Sequence, residues 1–563
     1  MRSRPDSYFI AWRFYLVITL LAMAICGLVW RVVDLTIVNS SFLRSQGDQR
    51  ALRLVSTSAF RGMIADRHGV PLAISTEVYS VWVNPQEFTA DSPQLKALNK
   101  LLKIPIKDMQ KLVSRYREKG REFIYLKRDV SPEVALQVKM LAIPHLYLQQ
   151  EYRRFYPEGE VTAQVIGFTN IDDQGQEGLE LAYNSWLAGE HGKKWVVKDR
   201  MGNVINDIRT VREQKPGHDL ILSIDKRIQY LAYRELMQGV VDNKARSGSV
   251  VVLDAQTGEV LTVANYPSFN PNRRPLGINE NMKNRAVTDL FEPGSTIKAF
   301  SMASALDSGK YTPDSMIDTH PGWLRVGRNI VRDEHGDHGV LSLTRILQIS
   351  SNVGITKVML SLPPDHLWSL LHRVGFGEST FVGFPGEQGG VLFKPTVWNP
   401  FALATLSFGY GVSTTTMQLA RAYAVLASTG VKKPLSLLRI DHAPPGEQVI
   451  DTKVAQHMLI VLESVVAKGG TAEVAGVSGY HVAGKTGTAW IVGEHGYEKH
   501  RYTSSFVGIA PVSIPRLVVA VVIHEPQGRR YYGGSVAGPV FQKIMEGTLR
   551  ILNIPPDNEI AVT

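Results

Sequence analysis

Cysteine is almost missing from this chain: Cys26 stands alone among 563 residues, which excludes any intramolecular disulfide. No long Lys/Arg run and no aromatic-basic stripe occurs. The net charge of +10, from 62 Lys+Arg against 52 Asp+Glu, therefore does not argue for nucleic acid. It suits an anionic membrane or cell-wall surface as well as an ordinary basic exterior. There is no His-Glu-x-x-His pattern, and Asp333-Glu334-His335-Gly336-Asp337-His338 has no helical ligand spacing, so neither a metal nor a cofactor is expected. Internal repeats and low-complexity blocks are absent too, as is any second apolar run of about 18 residues or more.

What is present first is one apolar run. Phe14 to Trp30 carries no charge, is preceded by Arg2, Arg4 and Arg13, and is followed by Arg31. With Ala11-Trp12 and Val32-Val33 added and the arginines snorkelling, it is long enough to cross about 30 Å of hydrocarbon. The basic flank predicts a cytoplasmic N-terminus with everything after Asp34 outside. Ala22-Met23-Ala24 resembles a peptidase site, but cleavage there would leave the run to Trp30 without use. Cys26 is preceded by Ile25, where a lipoprotein signal wants a small residue. The expectation is a single uncleaved anchor.

The remainder, with 44% hydrophobic and 20% charged residues overall, reads as folded protein in two or three domains. Residues from about 40 to 215 alternate strand-like runs such as Tyr79-Ser80-Val81-Trp82-Val83 with polar helices such as Pro132 to Leu141. The turn cluster Lys215-Pro216-Gly217-His218-Asp219 marks a boundary. Beyond it come a short strand, Leu220 to Ile224, and a helix with Ile228, Leu231, Ala232 and Leu236 at 3-and-4 spacing. A hairpin follows at Ser249–Leu253 and Val260–Ala264, and another at Phe506–Ala510 and Leu517–Ile523, with Lys485 on a strand just before the second. The pattern predicts an α+β fold with an antiparallel sheet between helical layers. The expected division is 1–38, cytoplasmic tip and anchor; 39–215, a mixed α/β domain; and 216–563, the domain that carries the chemistry.

That chemistry rests on order. Phe291-Glu292-Pro293-Gly294-Ser295-Thr296-Ile297-Lys298 is followed by Ser350-Ser351-Asn352 and then Lys485-Thr486-Gly487-Thr488. Each pattern alone is weak. Ser223-Lys226 repeats the first, but it lies where a strand enters a helix, so Ser223 or Asp225 is read as an N-cap. Ser268-Phe269-Asn270 repeats the second in a Pro-rich loop, and Lys468-Gly469-Gly470-Thr471 only mimics the third. At Ser295, Pro293-Gly294 breaks the backbone before a helical run, and residues three apart share a helix face, so the Lys298 amine can reach the Ser295 hydroxyl. A lysine near its ordinary pKa of about 10.4 cannot deprotonate a serine. A drop of roughly three units, about 4 kcal/mol, would make it competent. Burial and a second cation, Lys485 if it folds against Lys298, would supply that drop. Tyr531-Tyr532-Gly533-Gly534 reads equally as core packing or as a cleft wall.

The ordered triple resembles that of class B penicillin-binding proteins, acyl transferases of the cell wall. The resemblance extends to Arg61-Gly62-Met63-Ile64-Ala65-Asp66-Arg67-His68-Gly69, to Arg154-Phe155-Tyr156-Pro157 and to Gly178-Leu179-Glu180, and so covers nearly the whole length. It implies an elongated, non-catalytic pedestal of the dimerisation type before a penicillin-binding, β-lactamase-like transpeptidase domain. It further implies that Ser295 forms the acyl-enzyme, Lys298 is its base, Ser350 relays a proton and Asn352 orients Lys298 and the substrate amide. Lys485 would support the proton network, and Thr486, Gly487 and Thr488 would bind the substrate carboxylate. The Ser295 and Thr488 N–H groups would form the oxyanion hole. Tyr410, in Phe408-Gly409-Tyr410-Gly411, and Tyr532 would line the cleft; the family usually has tyrosine where Phe408 stands.

The expected partners are peptidoglycan stem peptides (a D-Ala-D-Ala donor and an amine acceptor), β-lactams, an FtsW-type glycosyltransferase and other division proteins. The expected site is the cell inner membrane, single-pass, with the catalytic domain periplasmic. A β-lactamase would want Glu-x-x-Leu-Asn downstream of Ser295, which is absent. A β-lactam sensor would want more membrane spans and a zinc-protease motif, also absent. A D,D-carboxypeptidase, an elongation-type paralogue and a non-catalytic scaffold stay open.

Overall fold

The computed structural model describes residues 11–88, 93–198, 204–273, 277, 279–493, 496–528 and 530–558. The apolar run is helical as expected: α1 spans Ala11–Val33 and continues as a π-helical turn, Asp34–Val38. Among the described residues it is the one helix long and apolar enough to cross a membrane. None of its residues is buried, with Trp12, Leu16, Leu20, Leu28 and Trp30 all exposed, which is the surface a lipid environment would cover. Arg31 donates to Asp34 at 2.7 Å, so the two charges at the end of the run neutralise one another.

The chain divides into two compact units: Met1–Ala59, Glu77–Tyr152 and Glu190–Pro216 form one, and Phe60–Thr76, Arg153–Gly189 and Gly217–Thr563 the other. In the first, Tyr79–Val83 pairs antiparallel with Ile124–Val130. Val81, Val83, Ile124 and Leu126 point from these strands into a core closed by Leu95, Leu98 and Leu102 from one helix, Met109 and Val113 from the next, and Ala135 and Val138 from the helix Pro132–Met140. A second sheet pairs Leu52–Thr57 with Gly192–Lys198, and that strand with Val204–Arg212.

In the second unit a helix, α2, spans Lys226–Asp242, and the two predicted hairpins share one five-stranded sheet. Its strands are β1 (Ser247–Asp254), β2 (Val260–Tyr266), β3 (Ala483–Gly493), β4 (Gly496–Ala510) and β5 (Leu517–His524). The order is β2-β1-β5-β4-β3, every neighbour antiparallel. All eight residues of β1 are buried, and so are Leu517–Ile523 of β5, because helices cover both faces and no polar side of the sheet remains. α2 packs with the C-terminal helix α7 (Gly538–Ile551) on one face. On the other lie α3 (Lys298–Asp307), α5 (Thr416–Ala427) and α6 (Thr452–Val466), while α4 (Asn352–Leu360) packs against α3. The predicted α+β layering is what the structure has.

The expected strand Leu220–Ile224 stops at Ile221. Ser223 gives its N–H to Leu437 O and its hydroxyl to Val260 O and Ser436 O, and Asp225 turns to cap α2 by accepting from the Arg227 N–H at 2.9 Å. The first Ser-x-x-Lys pattern is thus a helix entry, as expected.

Candidate active site

Pro293-Gly294 sets the geometry of the first motif. Gly294 has φ +54°, a left-handed turn that a side chain disfavours, and residues Gly294–Ile297 then form a 3₁₀ turn leading into α3. In a 3₁₀ turn the side chains at i and i+3 eclipse, so Ser295 and Lys298 share a side. From Ala299 to Leu306 every residue of α3 is buried, which fixes the turn against the core. The strand β3 passes directly beneath. A Cβ on Gly487 would lie 2.7 Å from Pro293 O and 2.9 Å from Thr296 Cγ2. Glycine there lets the Lys-Thr-Gly strand touch the serine turn. Gly487→Ala should therefore push the two apart and slow acylation of Ser295 by about 10²-fold, with the thermal midpoint little changed; a fluorescent-penicillin labelling rate beside a melting curve checks it.

Ser350 lies between the helix Leu343–Gln348 and α4, with φ +63°. A non-glycine residue held there costs on the order of 1–3 kcal/mol, so the surroundings must hold it. They do so by several bonds. The Lys298 amine donates to Ser350 O at 2.5 Å, to Ser350 Oγ at 3.1 Å and to Asn352 Oδ1 at 2.6 Å. The Lys485 amine, arriving from β3, donates to the same Ser350 Oγ at 3.1 Å. Both lysines have 0% exposure. Ser350, Asn352, Lys298 and Lys485 are thus brought together as the sequence suggests.

One feature differs from expectation. The three acceptors from Ser350 and Asn352 take up the Lys298 amine, and no described hydrogen bond joins it to Ser295. The half-buried Ser295 hydroxyl has no partner among the described residues. It is left available to an incoming group.

Electrostatically, burial pulls Lys298 down to about 7, against the opposing pull of the Asp333 and Glu334 carboxylates. Lys485 is held well below its ordinary value by burial first and by the charge of Lys298 second. The sequence assigned the role of repelling cation to Lys485; in the structure burial does most of the work on Lys298, and the repulsion between the pair falls on Lys485. Two amines sharing one hydroxyl in a dry site cannot both stay charged. Burial thus favours the neutral form of both amines, with Ser350 Oγ between them.

The rest of Lys-Thr-Gly-Thr is spoken for. Thr486 is buried, its Oγ1 3.1 Å from Thr471 Oγ1 and 3.2 Å from Lys485 Nζ. Thr488 is half-buried and its Oγ1 accepts the Gly533 N–H at 3.0 Å. Tyr532 donates to Glu334 at 2.6 Å, a bond that raises its pKa, and it ends a row of rings, Trp490–Tyr502–Tyr531–Tyr532, with Tyr502 and Tyr531 stacked at 4.2 Å. The tyrosine pair is thus held in a stacked aromatic row and tied to Glu334. Tyr410 packs edge-on to Phe408 and Tyr497, and burial pushes its phenol up to about 12.

Sequence reasoning missed three supports. Asp333 accepts from the Asn352 N–H (2.6 Å), the Val353 N–H (2.9 Å) and the Ser351 hydroxyl (2.7 Å). Glu292 accepts from the Gly411 N–H (2.8 Å) and the Tyr497 hydroxyl (3.2 Å). Glu334 anchors Tyr532. Asp333 and Glu334 stand in the polar run first weighed as a metal site, and Glu292 adjoins Pro293-Gly294; their partners are far along the chain, so only folding reveals the connection.

Comparison with known proteins follows the same lines. A profile described as the penicillin binding protein transpeptidase domain matches residues 248–546, and one described as the penicillin-binding protein dimerisation domain matches residues 56–222. The chain is 42% identical to the Escherichia coli peptidoglycan D,D-transpeptidase FtsI over 561 residues, covering 99% of this chain and 94% of that protein. The crystal structure of a peptidoglycan synthetase from Bifidobacterium adolescentis superposes with a TM-score of 0.71 at 26% identity, covering 91% of this chain and 98% of that one. The transpeptidase domain of penicillin-binding protein 3 from Burkholderia pseudomallei does so at 0.55 with 39% identity, covering 60% of this chain and 98% of that one.

Proposed function

The chain belongs to the penicillin-binding protein transpeptidase family, and on that premise we propose that it is a peptidoglycan D,D-transpeptidase that cross-links stem peptides in septal wall synthesis and is a target of β-lactams. Residues 1–38 form the cytoplasmic tip and inner-membrane anchor, 39–215 a non-catalytic pedestal, and 216–563 a periplasmic transpeptidase domain. An FtsW-type glycosyltransferase and other division proteins are its partners. The observation that carries the reading is the convergence of two buried amines on one serine hydroxyl, in a site with a second serine, Ser295, whose hydroxyl has no hydrogen-bond partner among the described residues.

The steps follow from that arrangement. Ser295 Oγ attacks the carbonyl carbon between the two D-alanines while its proton passes to the neutral Lys298 amine. The tetrahedral oxyanion is held by the N–H groups of Ser295 and Thr488. Collapse breaks the C–N bond, and the proton returns through Ser350 Oγ to the departing D-alanine. Thr486, Gly487 and Thr488 hold the terminal carboxylate; Asn352 orients Lys298 and the substrate amide; Tyr410 and Tyr532 line the cleft. An amine from a second stem then attacks the ester, loses its proton to the same network, and frees Ser295.

Intact-mass measurement of the full chain in detergent, incubated with a penicillin, tests the reading. One stable adduct is expected, lost in Ser295→Ala. With a donor ending in D-Ala-D-Ala and an amine acceptor, a cross-linked product is expected. Hydrolysis alone would convert the assignment to a carboxypeptidase, and no adduct with intact drug would overturn it.

A further inference from the structure

Asp333 has no place in the three motifs, yet it bonds the middle one at Ser351 and Asn352 and the Val353 that follows it. Its Oδ1 takes the Asn352 and Val353 N–H groups and its Oδ2 the Ser351 hydroxyl, while Ser351 in turn caps α4 by accepting the Gly354 N–H at 2.9 Å. The carboxylate is buried. A helix N-terminus leaves its first N–H groups unpaired, and an anion there is favoured by the helix dipole. Here that anion also fixes the start of α4, so that Asn352 Oδ1 faces Lys298 and the residue before Ser351 adopts its left-handed conformation. Asn352 is held from a second side, since its amide donates to Arg332 O at 3.1 Å.

The neighbourhood of Lys298 is otherwise short of negative charge. Lys485 from β3 shares Ser350 Oγ with it, and the titratable groups acting on it are Asp333 and Glu334, from the segment after the strand Asn329–Arg332. α3 itself contributes no titratable neighbour. The two carboxylates are the charges that favour the protonated amine, opposing burial.

We propose that Asp333, assisted by Glu334, is a positioning residue for acyl transfer: it locks the Ser350–Asn352 turn and supplies the negative field that decides at what pH the Lys298 amine can accept the serine proton. The inference rests on the transpeptidase reading above, in which Lys298 must be neutral to act. The two roles separate cleanly. A structural cap, when removed, lowers activity at every pH. A field, when removed, moves the acid limb of the rate profile and raises relative activity below it.

The test is the β-lactam acylation rate of the full chain in detergent, followed against pH for the parent, Asp333→Asn, Asp333→Ala and Glu334→Gln. Asparagine keeps an acceptor for the N–H groups and loses the charge. Its acid limb is expected to move to lower pH by enough to make acylation, relative to its own plateau, about 3–10-fold faster one pH unit below the parent limb. Glu334→Gln moves the limb the same way by less, because Glu334 is exposed. Asp333→Ala adds a fall of the plateau, since three donors lose their acceptor. An unmoved limb in both Asp333→Asn and Glu334→Gln would overturn the proposal and leave Asp333 a cap.

A second measurement does not depend on acylation. The ¹³Cε signal of Lys298, assigned by its loss in Lys298→Met, is titrated in the parent and in the two charge-neutral variants. A lower midpoint in the variants is expected, and an equal one counts against the field. If the parent itself takes no β-lactam, the transpeptidase reading fails while this titration still decides the electrostatic claim.

Discussion

Lys298→Met will slow acylation of Ser295 by about 10²–10⁴-fold, the range a positioned general base supplies, and will erase the acid limb expected of the parent from Lys298, which burial brings to about 7. The sign is fixed by the chemistry. Burial brings the Lys298 amine to about 7. Above that value it is neutral and takes the serine proton; below it the ammonium cannot, and the rate falls roughly tenfold per pH unit. Methionine fills a similar volume without an amine, so the residual rate is flat across the window. The same group predicts a stability effect. In the unfolded chain the amine keeps its proton to about 10.4, so between 7 and that value the unfolded state binds more protons than the native one. Stability therefore rises with pH across this window in the parent. Lys298→Met loses its share of that slope, while buried Lys485 keeps its own, and should melt no lower than the parent at pH 7, because a buried amine that must shed a proton is gone. Stopped-flow labelling with a fluorescent penicillin and melting curves over the pH range read both effects. A methionine variant that keeps the parental limb would assign it to another group.

The fold was legible where one residue pattern sufficed. Alternating and continuous apolar runs announce the hairpins of β1–β2 and β4–β5, and the charge-free run announces α1. The three motifs were legible for another reason: each is a local string whose backbone punctuation, Pro293-Gly294 or the break at Ser350, survives into the structure. What sequence could not show is which distant residue completes each string. Glu292 is three positions from Ser295 but meets Gly411 and Tyr497; Asp333 lies in a polar loop but ends in the Ser351-Asn352 turn; Thr488 waits for the Gly533 N–H. Those pairings join segments far apart along the chain, and no short-range pattern encodes that. That burial and Lys485 would act on Lys298 was legible; that the repulsion falls on Lys485 and that Asp333 and Glu334 oppose burial at Lys298 was not, because those carboxylates come from a third segment.

Glu180→Ala will destabilise the chain by about 3–5 kcal/mol, the cost of leaving buried charge without its partner, and will do so without moving the acid limb of acylation. Arg61 and Arg154 are each 1% exposed and Glu180 is 0% exposed. Arg61 Nε donates to Glu180 Oε2 at 2.7 Å and Arg154 Nε to Glu180 Oε1 at 2.6 Å. Arg61 is further tied to Glu180 O, Asn184 Oδ1 and Asp173 O. One carboxylate thus bridges two guanidiniums and fastens Phe60–Thr76 to Arg153–Gly189 in the second unit. Its loss leaves two cations in a place water does not reach. Asp173, which burial and Glu180 raise to about 6 against the pull of Arg61 and Arg154, is a nearby carboxylate. Removing Glu180 should therefore lower the Asp173 pKa and recover part of the loss at neutral pH; the loss deepens as pH falls and Asp173 takes up its proton. Combining Glu180→Leu with Arg61→Met and Arg154→Met replaces the triad by apolar groups of similar size, and most of the stability should return. Denaturant unfolding of the full chain in detergent at pH 7.5 and 5.5 measures these differences. If Glu180→Ala is as stable as the parent, the triad does not hold the unit together. If it acylates more slowly at a temperature where it is fully folded, the motif acts on the chemistry rather than on the fold.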